Sequence, residues 1–170
     1  MPTASPRILF VWACLASLAV LSASFYLESV IGLVPCPLCF SQRVLLGGYA
    51  AVCLGAALHD PGIAGLRLYA RTALSCAAAG ALLAARHVWL QGANAISPVC
   101  PLPIGRIFEM SWREVARQLL FGGPDCSALT WSFIDLTLPE WSLLAFLLLA
   151  ALPLSCLLAC RFRALRNYPA

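Results

Sequence analysis

Two cysteines separated by two residues form the stretch best suited to chemistry, Pro35-Cys36-Pro37-Leu38-Cys39. Cysteines at this spacing can close a small disulfide that exchanges readily with other thiols, as in thiol redox motifs. The prolines disfavour regular helix around the pair, which is therefore expected on a loop or at the start of the following helix. Because a helix N-terminus stabilises an anion, Cys39 is the candidate for the reactive thiolate. Two buried structural cysteines, or half of a metal site, are the alternatives.

A second pair is found among the remaining seven of the nine cysteines. Cys100 and Cys126 lie in proline- and glycine-rich stretches, where another thiol can reach them. A bridge between them would close a loop of about 26 residues and stabilise the chain by about 3.5 kcal/mol, so a purely structural disulfide is one interpretation. An exchange-active disulfide is favoured, and no metal is predicted, because only one pair has a metal-like spacing. The other five lie in apolar runs and are interpreted as small hydrophobic residues: Cys14, Cys53, Cys76, Cys156 and Cys160.

Thiol oxidation needs an electron acceptor, and charged residues near the apolar runs indicate one. Arg43 follows Cys39 by four residues, and Arg86 and His87 lie near the end of a later apolar run. An arginine held in a bilayer costs about 3 kcal/mol even on lenient scales, so it usually has a functional partner. Antiparallel helices would bring Arg43 and His87 to the same depth, where both could hydrogen-bond the carbonyl oxygens of a quinone. The alternative is that these arginines simply extend to the lipid head groups, and this alternative is stronger for Arg86 than for Arg43.

The composition predicts a membrane protein. Of 170 residues, 62% are hydrophobic and 11% are charged, and runs of about 20 apolar residues can cross a bilayer. We predict an all-α fold, a single four-helix membrane domain over residues 1–170 with a long outer loop. A cleaved secretory signal is a weaker alternative for the first run. The predicted spans are about 8–27, 41–58, 66–90 and 141–160.

Arginine placement predicts the orientation, since positive charge favours the cytoplasmic side. With four spans both termini are cytoplasmic, and loops 28–40 and 91–140, which carry both cysteine pairs, face an oxidising compartment. So few charges, placed near span ends, do not indicate nucleic-acid binding. Six arginines lie at one end of the bundle: Arg7, Arg67, Arg71, Arg161, Arg163 and Arg166.

The long outer loop contains a predicted amphipathic helix at residues 104–121. Phe108, Trp112, Val115 and Leu119 have offsets that place them on one helical face. Such a helix could lie in the membrane interface or pack on the top of the bundle, and the sequence does not separate the two.

These features, in this order, resemble the disulfide bond formation protein B (DsbB) family of bacterial inner-membrane thiol oxidases. The likeness covers nearly the whole chain and is specific as an ordered set, although each feature alone is weak. It rests on the four spans, the Pro-Cys-x-x-Cys before the second, Arg43, His87, Cys100, Cys126 and the sequence Trp131-Ser-Phe...Pro139-Glu140-Trp141.

The resemblance implies a role for each matching residue. Cys100–Cys126 would be the disulfide that oxidises the periplasmic dithiol protein DsbA, with Cys100 attacked first. Cys36–Cys39 would reoxidise that pair, and Cys39 would engage ubiquinone, or menaquinone in anaerobic growth. Arg43 and His87 would bind the quinone ring. Gln42 stands where some members have an acid, so no charged helper is expected there.

Two alternatives to this function remain at the level of sequence. A vitamin K epoxide reductase-like enzyme is disfavoured because its Cys-x-x-Cys comes late in the chain. A non-catalytic membrane scaffold with structural disulfides belongs to a different class, and replacing Cys36 or Cys39 by Ala would test it. Neither the quinone, nor the DsbA-like partner, nor the oligomeric state, nor the role of Arg86 follows from the sequence.

Overall fold

The computed structural model describes residues 6–32, 35–59, 61–93, 110–122 and 132–166. Within these ranges the chain forms five helices and one short hairpin. Four of the helices are long and apolar enough to cross a membrane, by length and composition. This confirms the predicted all-α four-helix fold. The elements are α1 (Pro6–Ile31), α2 (Pro37–His59), α3 (Ile63–Ala93), α4 (Trp112–Phe121), β1 (Ser132–Phe133), β2 (Leu136–Thr137) and α5 (Leu138–Arg166).

Each long helix extends beyond the apolar run from which its span was predicted. The second predicted span began at residue 41, whereas α2 begins at Pro37 and so includes Cys39. The last span was predicted to begin at residue 141, and α5 begins at Leu138. Hydropathy marks the part of a helix that suits the hydrocarbon, while backbone hydrogen bonding continues into the polar ends.

A stripe of small residues on α3 sets the packing of the bundle. Buried alanines recur on this helix at alternating spacings of three and four residues, which is the period of one helical face. Small side chains let neighbouring backbones approach closely, and α3 packs against both α2 and α5. The same stripe continues through buried polar residues at the end of α3. Its members are Ala70, Ala73, Ala77, Gly80, Ala84, His87 and Gln91.

Large apolar side chains point outward from the bundle, as lipid-facing residues do. Trp12 is 63% exposed, and Leu82 and Leu148 are exposed to a similar degree. The interior is filled instead by alanine, cysteine and a few aromatic side chains. Tyr49 on α2 is fully buried and donates its hydroxyl hydrogen to the carbonyl oxygen of Leu149 on α5 at 2.8 Å. Such an interhelical bond satisfies a polar group that has no access to water.

The short helix α4 packs on the bundle rather than standing apart from it. Ser41 on α2 donates to the carbonyl oxygen of Leu119 at 2.7 Å, and Val115 is buried. Trp112 lies outside this contact and is 88% exposed. Trp112 and Val115, which were predicted to share one apolar face, therefore differ: the first is exposed and the second is buried against the bundle. Phe108 and the rest of 104–109 lie outside the described residues.

A two-stranded hairpin leads into α5. Ser132 pairs with Thr137, and Phe133 pairs with Leu136. The two turn residues both have positive φ, as in the tight hairpin turns that match strand twist. Glu140 then accepts hydrogen bonds from the backbone N–H of Thr137 at 2.6 Å and from its hydroxyl at 3.0 Å. The bond from the Thr137 N–H to Glu140 is the glutamate half of a Thr-x-x-Glu capping box, and it helps to fix where α5 begins.

Candidate active site

The cysteine pair is positioned by the first turn of α2. Pro37 occupies the first helical position, where its missing N–H costs nothing and its fixed φ suits a helix. Cys36 precedes it as the N-cap, and its carbonyl oxygen accepts the N–H of Phe40 at 3.1 Å. The Cys36 sulfur accepts the N–H of Cys39 at 3.4 Å, as a serine hydroxyl does at an N-cap. The helix N-terminus therefore acts directly on Cys36, the outer cysteine of the pair.

The two sulfurs lie close enough for a disulfide to form between them. The Cys36 and Cys39 Sγ atoms are 3.3 Å apart, so an approach of about 1.2 Å would bring them to bonding distance. Both side chains are half-buried. At this separation the pair can be oxidised without a large backbone movement.

His87 faces both sulfurs from α3. Its Nε2 atom lies 3.6 Å from the Cys36 sulfur, and its Nδ1 atom lies 4.0 Å from the Cys39 sulfur. The ring is only 4% exposed, because it continues the small-residue stripe that faces the bundle. An imidazole in this position can accept a thiol proton or donate a hydrogen bond to a thiolate.

Arg43 lies one helical turn beyond Cys39 and holds α1 against α2. Its guanidinium forms an ion pair with Glu28 and donates to the carbonyl oxygen of Ser24 at 2.9 Å. The Phe25 ring lies beneath it, 4.7 Å from its central carbon. The sequence predicted a membrane quinone as the functional partner of Arg43, and that stays a prediction. The charged partner that the structure gives Arg43 is the Glu28 carboxylate on α1. That carboxylate was not predicted, because its position relative to α2 depends on how the helices pack.

These residues line one cleft of about 130 Å³ between α1, α2, α3 and α5. Most of its wall is apolar, and the polar groups converge at one side. Gln42 is only 5% exposed, and its side-chain nitrogen has no hydrogen-bond partner among the described residues. A buried donor left without a partner costs free energy, which a ligand with an acceptor oxygen could recover. The polar lining consists of Ser24, Glu28, Cys36, Cys39, Gln42, Arg43, His87, Gln91 and Ser142.

Phe146 forms part of the apolar wall of this cleft. It is 3% exposed and packs directly over Gly80 of α3. A Cβ atom at position 80 would lie 2.2 Å from the Phe146 ring, so no larger residue fits without displacing it. The glycine in the α3 stripe thus determines where this wall of the cleft stands.

The end of α4 covers the start of α2. Gly122 ends α4 with a φ of 80°, and its N–H donates to the Gln118 carbonyl oxygen at 3.0 Å. A Cβ there would lie 2.7 Å from side-chain atoms of both Leu38 and Leu90. Glycine therefore satisfies both the backbone conformation and the close approach. This contact fixes the C-terminal end of α4 beside the Cys36/Cys39 pair.

The structure brings four of the six predicted site residues together: Cys36, Cys39, Arg43 and His87 all line the cleft. Cys100 and Cys126 lie outside the described residues. Arg86 points away from the cleft, donates to the Phe121 carbonyl oxygen at 3.4 Å and stacks near Trp89. Sequence reasoning missed the cleft residues Glu28, Gln91 and Phe146, and it treated Gln42 only as the loss of a charge.

Comparison with known proteins identifies the family. A family model described as "Disulfide bond formation protein DsbB" matches residues 6–156. The chain belongs to the DsbB family. It is 70% identical over 159 residues to "Disulfide bond formation protein B 2" of Pseudomonas putida, covering 94% of this chain and 95% of that protein. It is 42% identical to "Disulfide bond formation protein B" of Stutzerimonas stutzeri, and the match covers 86% of this chain and 91% of that protein.

Membership of the DsbB family confirms the resemblance inferred from the ordered motifs. The chain is a membrane disulfide bond formation protein and an oxidoreductase, as the sequence predicted. The Cys-x-x-Cys lies at the start of the second membrane helix, early in the chain, and this position argued against a vitamin K epoxide reductase-like enzyme. A third relative, "Disulfide bond formation protein B 1" of Pseudomonas aeruginosa, is 40% identical and covers 86% of this chain and 91% of that protein.

Proposed function

We propose that this protein oxidises a periplasmic DsbA-like dithiol protein and passes the electrons to a membrane quinone. The observation that carries the proposal is the cleft itself, in which a cysteine pair, a buried histidine and an arginine converge beside an apolar wall. The catalytic residues are Cys36, Cys39, Cys100 and Cys126, and the quinone-binding residues are Arg43 and His87. Ubiquinone is the acceptor proposed first, with menaquinone as the anaerobic alternative.

The lining of the cleft fits a quinone ring. Its apolar wall suits the ring face, and the Gln42 nitrogen supplies a buried donor for a carbonyl oxygen. Arg43 adds positive charge near that donor, although Glu28 compensates most of it. A bound quinone supplies a two-electron acceptor. Donors held in an apolar site stabilise developing negative charge more strongly than the same groups in water.

The protein's own residues account for the thiol chemistry. Closing the Cys36–Cys39 disulfide forms one S–S bond and releases two electrons and two protons from the two thiols. The electrons go to the quinone, and His87 lies within reach of both sulfurs to accept a proton. The α2 N-terminus holds the Cys36 sulfur through the Cys39 N–H. Cys39 projects deeper along the helix toward Arg43 and is the sulfur proposed to face the quinone.

The second pair is proposed to connect this cleft to the partner protein. Its residues lie outside the described ranges, but Cys126 follows Gly122 by four residues, which span at most about 14 Å. Gly122 itself packs against Leu38, which lies between Cys36 and Cys39 in the sequence. A tether of this length keeps Cys126 within reach of the first pair. Thiolate attack of the reduced Cys100/Cys126 pair on Cys36–Cys39 would pass two electrons inward through a mixed disulfide.

Dissection of the relay tests this proposal. Purified protein in nanodiscs with ubiquinone would receive either a reduced DsbA-like protein or a small dithiol, and quinone absorbance would report turnover. We expect Cys100→Ala with Cys126→Ala to abolish oxidation of the protein partner and to retain quinone reduction by the small dithiol. Cys36→Ala should abolish quinone reduction with both donors. Retained quinone reduction in Cys36→Ala would contradict the proposed order.

The proposed location is the bacterial inner membrane, with both termini in the cytoplasm. The arginines at the non-cleft end of α3 and α5 support it, because positive charge favours the cytoplasmic side. A membrane-impermeant maleimide applied to intact reduced cells should label Cys36 or Cys126. Labelling of these residues only after the inner membrane is opened would contradict the orientation.

A further inference from the structure

The cysteine pair and His87 together form a set of metal ligands that the sequence did not reveal. Cysteine sulfur and histidine nitrogen are the preferred ligands of zinc. The two sulfurs and a ring nitrogen of His87 all lie within 4.8 Å of one another. From the sequence the cysteines looked like half of a metal site at most, since His87 is 48 residues beyond Cys39. The packing of α3 against α2 supplies the third ligand.

The distances are close to those that a zinc ion would impose. Zinc bonds of about 2.3 Å to sulfur and 2.0 Å to nitrogen, at tetrahedral angles, separate two sulfurs by about 3.8 Å and a sulfur from a nitrogen by about 3.5 Å. The Cys36 sulfur and His87 Nε2 are already 3.6 Å apart, and the two sulfurs are 3.3 Å apart. The sulfurs need to separate by about 0.5 Å, and the Cys39 sulfur, which lies 4.0 Å from the other ring nitrogen, Nδ1, must turn toward Nε2.

The charge of the surroundings selects a divalent ion. Two thiolates and a neutral imidazole carry a charge of −2, which one Zn²⁺ cancels, whereas Cu⁺ would leave a net negative charge in an apolar cleft. Arg43 does not offset such a charge, because Glu28 already pairs with it. A neutral complex is the one that this environment tolerates best. All three ligands line the cleft, where water could complete the coordination, as in open three-ligand zinc sites.

We propose that the reduced form of this protein binds one zinc ion through Cys36, Cys39 and His87. Binding releases the two thiol protons and changes no oxidation state, so it is coordination rather than redox chemistry. The oxidised form cannot bind in this way, because the disulfide removes both thiolates. Zinc would therefore hold the pair in its reduced form and prevent the disulfide from closing until the ion dissociates. This inference rests on the ligand geometry and does not depend on which quinone or partner the protein uses.

The experiment measures metal binding to the reduced, full-length chain in detergent under anaerobic conditions. Cys100→Ser and Cys126→Ser are included in all samples so that the second pair cannot contribute. Zn²⁺ is titrated against a chromophoric competitor, and Cd²⁺ is titrated separately because its thiolate complexes absorb in the ultraviolet. We expect about one ion per chain, with two thiolate ligands. The same sample oxidised at Cys36–Cys39 should lose this binding, and this control requires no further substitution.

Matched variants identify the third ligand. His87→Ala should weaken zinc binding by at least about tenfold, since loss of even an outer-shell partner typically costs that much. The control is His59→Ala, the other histidine of the chain, which is exposed and bonds the Gly55 carbonyl oxygen at 2.9 Å. It should bind zinc as the parent does. Cys53→Ser, which changes a buried thiol in the bundle core, should also leave binding unchanged.

Two results would overturn the inference. Equal zinc affinity of the oxidised and reduced samples would place the ion elsewhere, and equal affinity of His87→Ala and the parent would remove the third ligand. Failure of the proposed quinone function is distinguishable, because it would appear as lost quinone reduction in zinc-free buffer. If zinc binds as expected, it should also slow alkylation of Cys36 and Cys39 by at least about tenfold, reversed by a chelator.

Discussion

Cys39 and Cys53 lie on the same helix, fourteen residues apart, in very different surroundings. Around Cys39 the helices separate into a cleft in which a second sulfur, an imidazole and a guanidinium meet. Around Cys53 the helices close completely, and the thiol packs among alanines and Tyr49 with no exposed surface. The same functional group thus lines a polar cleft, as the proposed reactive centre, at one end of α2 and is a small core residue toward the other. What differs is access and the polar neighbours supplied by other helices.

The small-residue stripe on α3 runs through both regions. Toward one end it contributes Ala70, Ala73 and Ala77, which bring the backbones together. Toward the cleft the same face carries His87 and Gln91. A single helical face therefore serves close packing at one end and chemistry at the other, so changes in the two regions should have separable effects.

The largest expected difference is between serine substitutions at the two cysteines. Cys39→Ser should reduce quinone-dependent turnover by at least about a thousandfold, since it removes the proposed nucleophile of the reaction. Cys53→Ser should change turnover by less than about twofold, because Cys53 is not among the residues that line the cleft. Turnover is measured as the initial rate of quinone reduction at saturating dithiol. A comparable loss in both variants would remove the distinction drawn between the two regions.

A smaller difference is expected between the two arginines near the cleft. Arg43→Ala removes an ion pair and a hydrogen bond that join α2 to α1, and bonds to charged groups contribute about 1.5–3 kcal/mol. We expect the quinone KM to rise by about tenfold, with a lower thermal midpoint in detergent. Arg86→Ala, whose guanidinium contacts α4 and Trp89, should alter KM by less than about twofold. Unchanged KM and midpoint in Arg43→Ala would contradict its assigned place in the site.

The cleft wall can be moved through Gly80. Gly80→Ala places a methyl group against the Phe146 ring, and overpacking of this kind costs about 1–3 kcal/mol. We expect lower stability and weaker quinone binding together, measured by thermal unfolding and by KM. Gly47→Ala is the matched control, because nothing lies within 4 Å of the added Cβ. It should stabilise α2 by about 0.5–1 kcal/mol. Equal changes in stability and in quinone KM for the two substitutions would show that the Gly80 contact does not determine the position of Phe146 in the cleft wall.

The smallest expected effect concerns the attachment of α4. Ser41→Ala deletes the hydrogen bond to the Leu119 carbonyl oxygen, which contributes about 1 kcal/mol. Amide hydrogen exchange in Trp112–Phe121 should accelerate by about fivefold, while exchange in the bundle core stays unchanged. Ser75→Ala, whose hydroxyl bonds its own helix at the Arg71 carbonyl oxygen, is the control. Accelerated exchange in the bundle core, or unchanged exchange in α4, would count against this attachment.

Much of the fold was predictable because a membrane imposes simple rules. Apolar runs fixed the number of spans, and Cys36-Pro37-Leu38-Cys39 marked the start of the second helix. The periodicity of α3 could also have separated His87 from Arg86, because His87 continues the buried alanine face and Arg86 does not. The spacing of three and four residues that joins His87 to these alanines can be read from the sequence alone.

The partners of the site residues were not predictable in the same way. The ion pair between Arg43 and Glu28 depends on the rotation of α1 relative to α2, which hydropathy does not encode. The packing of Phe146 over Gly80 likewise depends on the register of α5 against α3. Interhelical contacts of this kind arise from packing in three dimensions, so a single sequence gives the helices but not their mutual orientation. The Cys100 and Cys126 assignments stay predictions.

A single-turnover reaction tests most directly whether the cleft pair delivers electrons to quinone. Fully reduced protein carrying Cys100→Ser and Cys126→Ser would be mixed anaerobically with one equivalent of ubiquinone, and its thiols would be mapped by alkylation and mass spectrometry. The account predicts that a Cys36–Cys39 disulfide forms as the quinone is reduced, in equal amounts and without the second pair. Quinone reduction with Cys36 and Cys39 still alkylatable would contradict it.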